Sequence, residues 1–271
     1  MKKFLVPIDF SDSSKNAASY AVQLTKEVED AQIVFYHVYS SISFATLAPK
    51  DEGSRHNVSL AELEKLKAEL GQAGNANISC EVEEGSFIEN INDYTMGHKV
   101  NVVIMGITGS SRITQVFMGT NTLNVIRNVS CPVMIIPPDA KYTGLKKVVL
   151  TSDFKDVART TPFTELYKIL NIFKPSLDIL NVDSEHYVEL TDEFKKEREA
   201  MEEKLQQYNP EFSFLRAFDF LDGINNYVTL KEIDAIITVP RKHGFLSQLF
   251  KTSHTKKLAY HSTVPIIAIP G

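Results

Sequence analysis

The feature that most constrains this chain is that it repeats itself. Lys3-Phe-Leu-Val-Pro-Ile-Asp-Phe10 is matched in pattern by Lys147-Val-Val-Leu-Thr-Ser-Asp-Phe154, 144 residues further on. Ile91-Asn-Asp-Tyr94 returns as Ile224-Asn-Asn-Tyr227, and Cys131-Pro-Val-Met-Ile-Ile-Pro137 as Val264-Pro-Ile-Ile-Ala-Ile-Pro270, both 133 residues further on. The offset is still 144 between Val38 and Val182, so the second copy is expected to have lost eleven residues in the connection after its second strand. A surface loop absorbs such a loss easily. Repetition on this scale means duplicated domains rather than a solenoid of short units, and a length of 271 residues fits two domains of roughly 100 to 200 residues each. Pro137-Pro-Asp-Ala-Lys-Tyr-Thr-Gly144 reads as a linker, because Pro and Gly interrupt regular structure. The expected domains are residues 1–139 and 144–271.

Within the first copy, Gln32–Val38 and Val100–Met105 are nearly continuous apolar, β-branched runs, as strands buried on both faces should be. Between such runs lie helical patterns: Ala17, Ala21, Leu24 and Val28, then Leu60, Leu63, Leu66 and Leu70. The order is β-α-β-α-β-α-β-α-β. That alternation predicts an α/β fold, in each copy a doubly wound, Rossmann-like, five-stranded parallel sheet with right-handed crossovers. In a sheet ordered 3-2-1-4-5 the first and fourth strands are neighbours at the switch point, and ligands bind beyond their carboxyl ends.

Charge and composition remove several function classes. A net charge of −5 and a pI near 5.8 argue against a nucleic-acid partner, which a basic face would serve, and against a membrane surface. The opening apolar run is cut by Pro7 and Asp9, too early for a signal peptide. No segment approaches the ~20 apolar residues of a membrane span, so a cytoplasmic location is expected. Cys80 and Cys131 stand far apart, in neither disulfide-framework nor thiolate-metal spacing.

The run Val102–Met105 leads into Gly106-Ile-Thr-Gly109-Ser-Ser-Arg-Ile-Thr-Gln-Val-Phe-Met-Gly119-Thr120, with a helical stretch after it. The spacing is G-x2-G-x9-G-[ST]. Without a Cβ, glycine lets the backbone turn and approach a phosphate closely, so that amide hydrogens become the ligands. Gly119-Thr120 falls where the next helix begins, and unpaired amides there favour an anion. Thr120 can add a hydroxyl or simply cap the helix. Asp9 closes the first strand, across the crevice from Gly106 in the expected sheet order; its plainer reading is a turn residue beside Ser11, Asp12 and Ser13.

The motif, the opening Pro7-Ile8-Asp9 and the closing Cys131-Pro-Val-Met-Ile-Ile136 together resemble the universal stress protein family, and the resemblance covers both copies. It implies that Gly106, Gly109, Gly119 and Thr120 hold phosphates and ribose, that Asp9 contacts the ribose, and that Pro7, Val38 and Met105 frame an adenine. Asn121 would add a phosphate contact. The basic residue that commonly follows the second glycine is here Ser110, with Arg112 the nearest arginine. The implied ligand is ATP or AMP, with Mg2+ carried on the phosphates. In the family, dimers often form by pairing fifth strands; Val133–Ile136 and Ile266–Ile269 are expected to pair in this way within one chain, making it a pseudo-dimer with two sheet edges hidden.

The second copy lacks the motif. At the offset of 133, Gly106 becomes Val239, Gly109 becomes Lys242, Gly119 becomes Thr252, and only Thr120 keeps its type, as Ser253. Each change adds a side chain where a ligand needs bare backbone, and Pro240 stiffens the loop. A cationic group remains, formed by Arg241, Lys242, His243, Lys251, Lys256 and Lys257, which reads as a solvated face or as a surface for an anion or an acidic partner. His243, His254 and His261 have no carboxylate or cysteine at ligand spacing, so no metal site is expected. The Walker spacing G-x4-G-K-[ST], the elbow G-x-S-x-G and H-E-x-x-H are all missing. The leading expectation is a stress-response regulatory protein holding one adenine nucleotide in its first domain, not an enzyme, with slow hydrolysis of ATP only incidental. The alternative is a nucleotide-independent interaction module that uses the degenerate second domain.

Overall fold

The computed structural model describes residues 1–40, 52–71, 77–107, 120–183, 191–217, 219–240 and 262–271. The chain divides into two compact units between Tyr142 and Thr143. The first contains β1 (Lys2–Pro7), α1 (Asp12–Thr25), β2 (Ala31–Tyr39), α2 (Glu52–Gly71), β3 (Asn77–Glu84), α3 (Phe87–Gly97), β4 (Val102–Gly106), α4 (Thr120–Asn128) and β5 (Val133–Ile136). Its strands are parallel and run in the order β3-β2-β1-β4-β5, the doubly wound arrangement that the alternation of elements implied. Central strands are covered on both faces. Phe4, Leu5, Val6, Val102, Val103 and Ile104 are accordingly all fully buried, each such side chain stabilising the fold by about 1.5–3 kcal/mol.

Helix α1 shows how the sequence sets the entry to the crevice. Ser11 has extended backbone and its hydroxyl accepts from the Ser14 amide at 3.3 Å, the arrangement of an N-cap. Ala17, Ala18 and Ala21 then face inward, fully buried. Their small side chains bring the helix close to the sheet.

The second unit contains β6 (Lys147–Thr151), α5 (Val157–Thr160), α6 (Phe163–Phe173), β7 (Ser176–Asp183), α7 (Asp192–Leu205), β8 (Glu211–Arg216), α8 (Phe220–Leu230), β9 (Ala235–Thr238) and β10 (Ile266–Ala268). Its order, β8-β7-β6-β9-β10, is the same winding. The duplication reaches backbone detail. Non-glycine residues with left-handed φ recur in pairs at the two offsets: Phe10 with Phe154, Asp30 with Lys174, and Lys99 with Glu232. Such positions are uncommon for residues with a Cβ, so their recurrence with changed side chains reflects an inherited backbone path. A clamp recurs too. The Lys3 amide donates to Asn101 Oδ1 at 2.8 Å, and the Lys147 amide donates to Asp234 Oδ2 at 2.9 Å.

Two differences between the units were not legible as such in the pattern. The helix after β6 is broken into α5 and α6, because Pro162 stands where the first copy has Ala18 and holds Thr161 in extended backbone, φ −104° and ψ 114°. The residues missing from the second copy are not confined to a loop either: α7 has 14 residues where α2 has 20. Among the described residues, no helix is long and apolar enough to cross a membrane.

Candidate functional site

In the first unit β1 lies between β2 and β4, with Pro7 opposite Tyr36 and Leu5 opposite Val103. The strands thus end together. Beyond Pro7 the chain stays attached to β2: the Ile8 amide donates to the Tyr36 carbonyl at 2.8 Å, and His37 Nδ1 lies 2.7 Å from the Ile8 carbonyl. A carbonyl only accepts, so Nδ1 is the donor. Phe10, in left-handed backbone with φ 65°, sets its ring 4.8 Å from the His37 ring.

This kinked turn presents Asp9 at the carboxyl end of β1. Its Oδ1 accepts from the Ser11 amide at 3.1 Å and from the Ser11 hydroxyl at 2.5 Å. Partial burial works to raise the carboxyl pKa, but the hydrogen bonds from Ser11, then Ser14, outweigh it and hold the group below the ordinary aspartate value. Asp9 is therefore an exposed, ionised acceptor at the rim, whose turn role and acceptor role coexist.

Gly106 ends β4 against the start of α1. A Cβ there would stand 2.6 Å from the Ser13 carbonyl carbon and closer still to its oxygen. The glycine is thus required by chain packing on chain, the close helix–strand approach that glycine permits, whatever else the loop holds. Met105 is 3% exposed and pairs with Ile135 in β5, and Pro7 is buried, so both form the floor beneath the strand ends. Val38 is half-buried opposite Glu83. Thr120 opens α4 and Asn121 follows it, exposed. Gly109, Ser110, Arg112 and Gly119 lie outside the described residues, as does the side chain of Thr120.

Register and hydrogen bonds therefore bring Pro7, Asp9 and the end of β2 near Val38 together, with Gly106 one strand away. Sequence reasoning missed Ser13 and His37. Ser13 acts through its main-chain carbonyl and His37 binds one, and neither role leaves a signature in residue type.

The corresponding place in the second unit is satisfied from within. Asp153 Oδ1 accepts from the Lys155 amide at 3.2 Å, the same turn as at Asp9. The first amide of α5, on Val157, donates to Glu197 Oε2 from α7 at 2.6 Å. A carboxylate of the chain thus sits at that helix start. Phe154 is buried among Phe194, Phe212 and Phe214. Val239, in place of Gly106, is buried at the end of β9. The cationic group at residues 241–243, 251, 256 and 257 and the histidines at 254 and 261 lie outside the described residues. Among those that are described, no three His, Cys, Asp or Glu side chains gather as a metal site.

Comparison with known proteins fits this fold. The model of the universal stress protein family matches residues 1–137, the half with the glycine motif. A universal stress protein of Methanocaldococcus jannaschii is 28% identical over 151 residues, 52% of this chain and 84% of that protein. Another from Thermus aquaticus is 25% identical over 136 residues, 50% of this chain and 98% of that one. Among solved structures, a universal stress protein from Archaeoglobus fulgidus superposes with a TM-score of 0.69 at 17% identity, covering 99% of this chain and 96% of that one. That likeness concerns fold alone, and it runs through both units. On the family match across its first half, the chain belongs to the universal stress protein family.

Proposed function

We propose that the first unit binds one adenine nucleotide, ATP or AMP, at the carboxyl ends of β1 and β4, and that the protein is a stress-response regulator rather than an enzyme. The observation that carries this reading is that β1, which leads into Asp9, lies beside β4, which ends at Gly106, at the switch point of the sheet, where the glycine motif begins. Asp9 suits a pair of ribose hydroxyls, because it is ionised, exposed and fixed in place by Ser11. The amides that open α4 suit phosphate oxygens. Mg2+ would arrive on the phosphates, with no protein ligand assigned to it. The second unit is read as lacking a nucleotide, because Val239 replaces the first glycine of the motif.

Mass spectrometry of small molecules released from freshly purified protein, followed by calorimetry with ATP and AMP, tests the reading. Retained or titratable nucleotide supports it; an empty protein that ignores both nucleotides refutes it. A second reading, a nucleotide-independent interaction module in the second unit, draws on Phe214 and Leu230, which are 48% and 82% exposed there. That reading would gain from the same negative result.

A further inference from the structure

The two units differ at the outer edges of their sheets. β3 ends the first sheet and β8 the second, and among the described residues β8 pairs with β7 alone, in unbroken register from Glu211 to Arg216. An edge strand presents a row of unpaired amides and carbonyls, and proteins commonly guard that row with charge, proline or a bulge. β3 carries Glu81, Glu83 and Glu84. Matched through their partners in β2 and β7, the same three places in β8 are Ser213, Leu215 and Arg216, and Val82 becomes Phe214. The acidic guard is gone, and no proline, lysine or bulge replaces it. Phe214 stands 48% exposed within the strand. Phe194 and Phe154 hold it from inside, with ring centroids at 5.5 and 5.9 Å, so the ring is fixed in place with half of it in solvent.

We propose that β8 is the interface between two copies of this chain, joined edge to edge as antiparallel strands about a two-fold axis at Phe214. The occupant is a second copy because the strand is complementary to itself. Side chains alternate across a strand, so Phe212, Phe214 and Arg216 share one face. Directly opposite residues of an antiparallel pair share a face as well. With Phe214 opposite Phe214, Arg216 of each chain falls opposite Phe212 of the other, so two exposed rings cover each other and an arginine–aromatic pair stands on either side. The charges select the direction. Glu211 opens the strand and Arg216 closes it; antiparallel pairing brings each to the end that carries its opposite, whereas parallel pairing would set like charges together. A two-fold contact uses the same patch on both chains and closes at a dimer. The surface lies in the second unit and requires no nucleotide.

Sedimentation velocity of the full chain over a range of micromolar concentrations, with a thermal melt of each variant, tests the pairing. Wild type is expected to form a dimer that grows with concentration, and no larger species. Phe214→Lys, which puts a charge at the two-fold axis, should weaken dimerisation about tenfold. Arg216→Glu and Glu211→Arg change exposed positions, and Glu211 gives up only an exposed contact with Lys231 at 3.9 Å. Each should weaken the dimer several-fold with an unchanged melt, and the two together, which exchange the charges, should recover most of the loss. Glu84→Arg, on the edge of the first sheet, should leave the dimer as it is. A wild type that stays monomeric throughout would overturn the proposal. So would a dimer that survives Phe214→Lys, a double variant no better than the single ones, an equal loss in Glu84→Arg, or open-ended assembly beyond the dimer. If Phe214→Lys melts too low to compare, Arg216→Glu, Glu211→Arg and their combination decide alone.

Discussion

The main-chain carbonyl of Ser13 fills the space that a side chain on Gly106 would need, with the carbonyl carbon 2.6 Å from a Cβ built at that position. The glycine that opens the G-x2-G-x9-G-[ST] motif is thereby tied to the seating of α1 on β4. Gly106→Val, which introduces the residue found at Val239, should push α1 away from the sheet. Overpacking of this kind costs about 1–3 kcal/mol, so the ligand-free protein should melt several degrees lower. An unchanged melt would show that α1 can withdraw freely.

Asp9 should titrate below the ordinary aspartate value of 3.8. Its folded-state pKa is depressed, so the stability it contributes is present above the unfolded value and is lost as pH falls through the folded one. The contribution is small because the carboxylate is exposed. Carboxyl-carbon NMR should find the midpoint low in wild type and raised in Ser11→Ala, which removes the hydroxyl bond. A midpoint that ignores Ser11 would contradict this account of the turn.

The second unit buries a carboxylate where the first is apolar. Asp178 is 1% exposed, with Tyr227 Oη at 2.7 Å and Lys147 Nζ at 3.3 Å; at the offset of 144 its counterpart is Val34. Asp178→Ala would remove the carboxylate that Tyr227 and Lys147 share, leaving Tyr227 with Ser213 Oγ at 2.9 Å and Lys147 with solvent, and should cost about 1–3 kcal/mol in chemical denaturation. Burial, with help from Asp178, pushes the Tyr227 phenol up to about 12 from 10.0. A raised folded pKa stabilises the protein below the unfolded value, so stability should fall as pH rises from 10.0 to about 12. Tyr227→Phe should flatten that fall.

Asn16 holds the end of the first unit. Its Nδ2 donates to the carbonyls of Pro137 at 3.1 Å and Ala140 at 3.2 Å, and Tyr142 Oη donates to Glu27 at 2.7 Å. Asn16→Ala should lower stability by about 1–2 kcal/mol and speed amide exchange at residues 140–142. Unaltered exchange there would mean that Tyr142 suffices as an anchor.

Much of the fold could be read from the sequence, because buried parallel strands are continuous apolar runs and because the two copies could be laid on each other. The left-handed pairs, such as Asp30 with Lys174, lay beyond that reading, since backbone conformation was inherited while the side chains changed. The break between α5 and α6 was visible only as Pro162, one residue inside an otherwise helical pattern. At the site, residue types indicated Asp9 and the glycines, but not that Gly106 answers to a carbonyl or that His37 answers to the Ile8 carbonyl. Main-chain partners have no letter in a sequence.

The central claim is that one half of a duplicated chain binds a nucleotide and the other does not. Native mass spectrometry of the full chain with ATP, alongside Asp9→Ala and Asp153→Ala, tests it most directly. The account predicts one nucleotide per chain, lost in Asp9→Ala and retained in Asp153→Ala. Two nucleotides per chain, none at all, or loss in Asp153→Ala with retention in Asp9→Ala would contradict it.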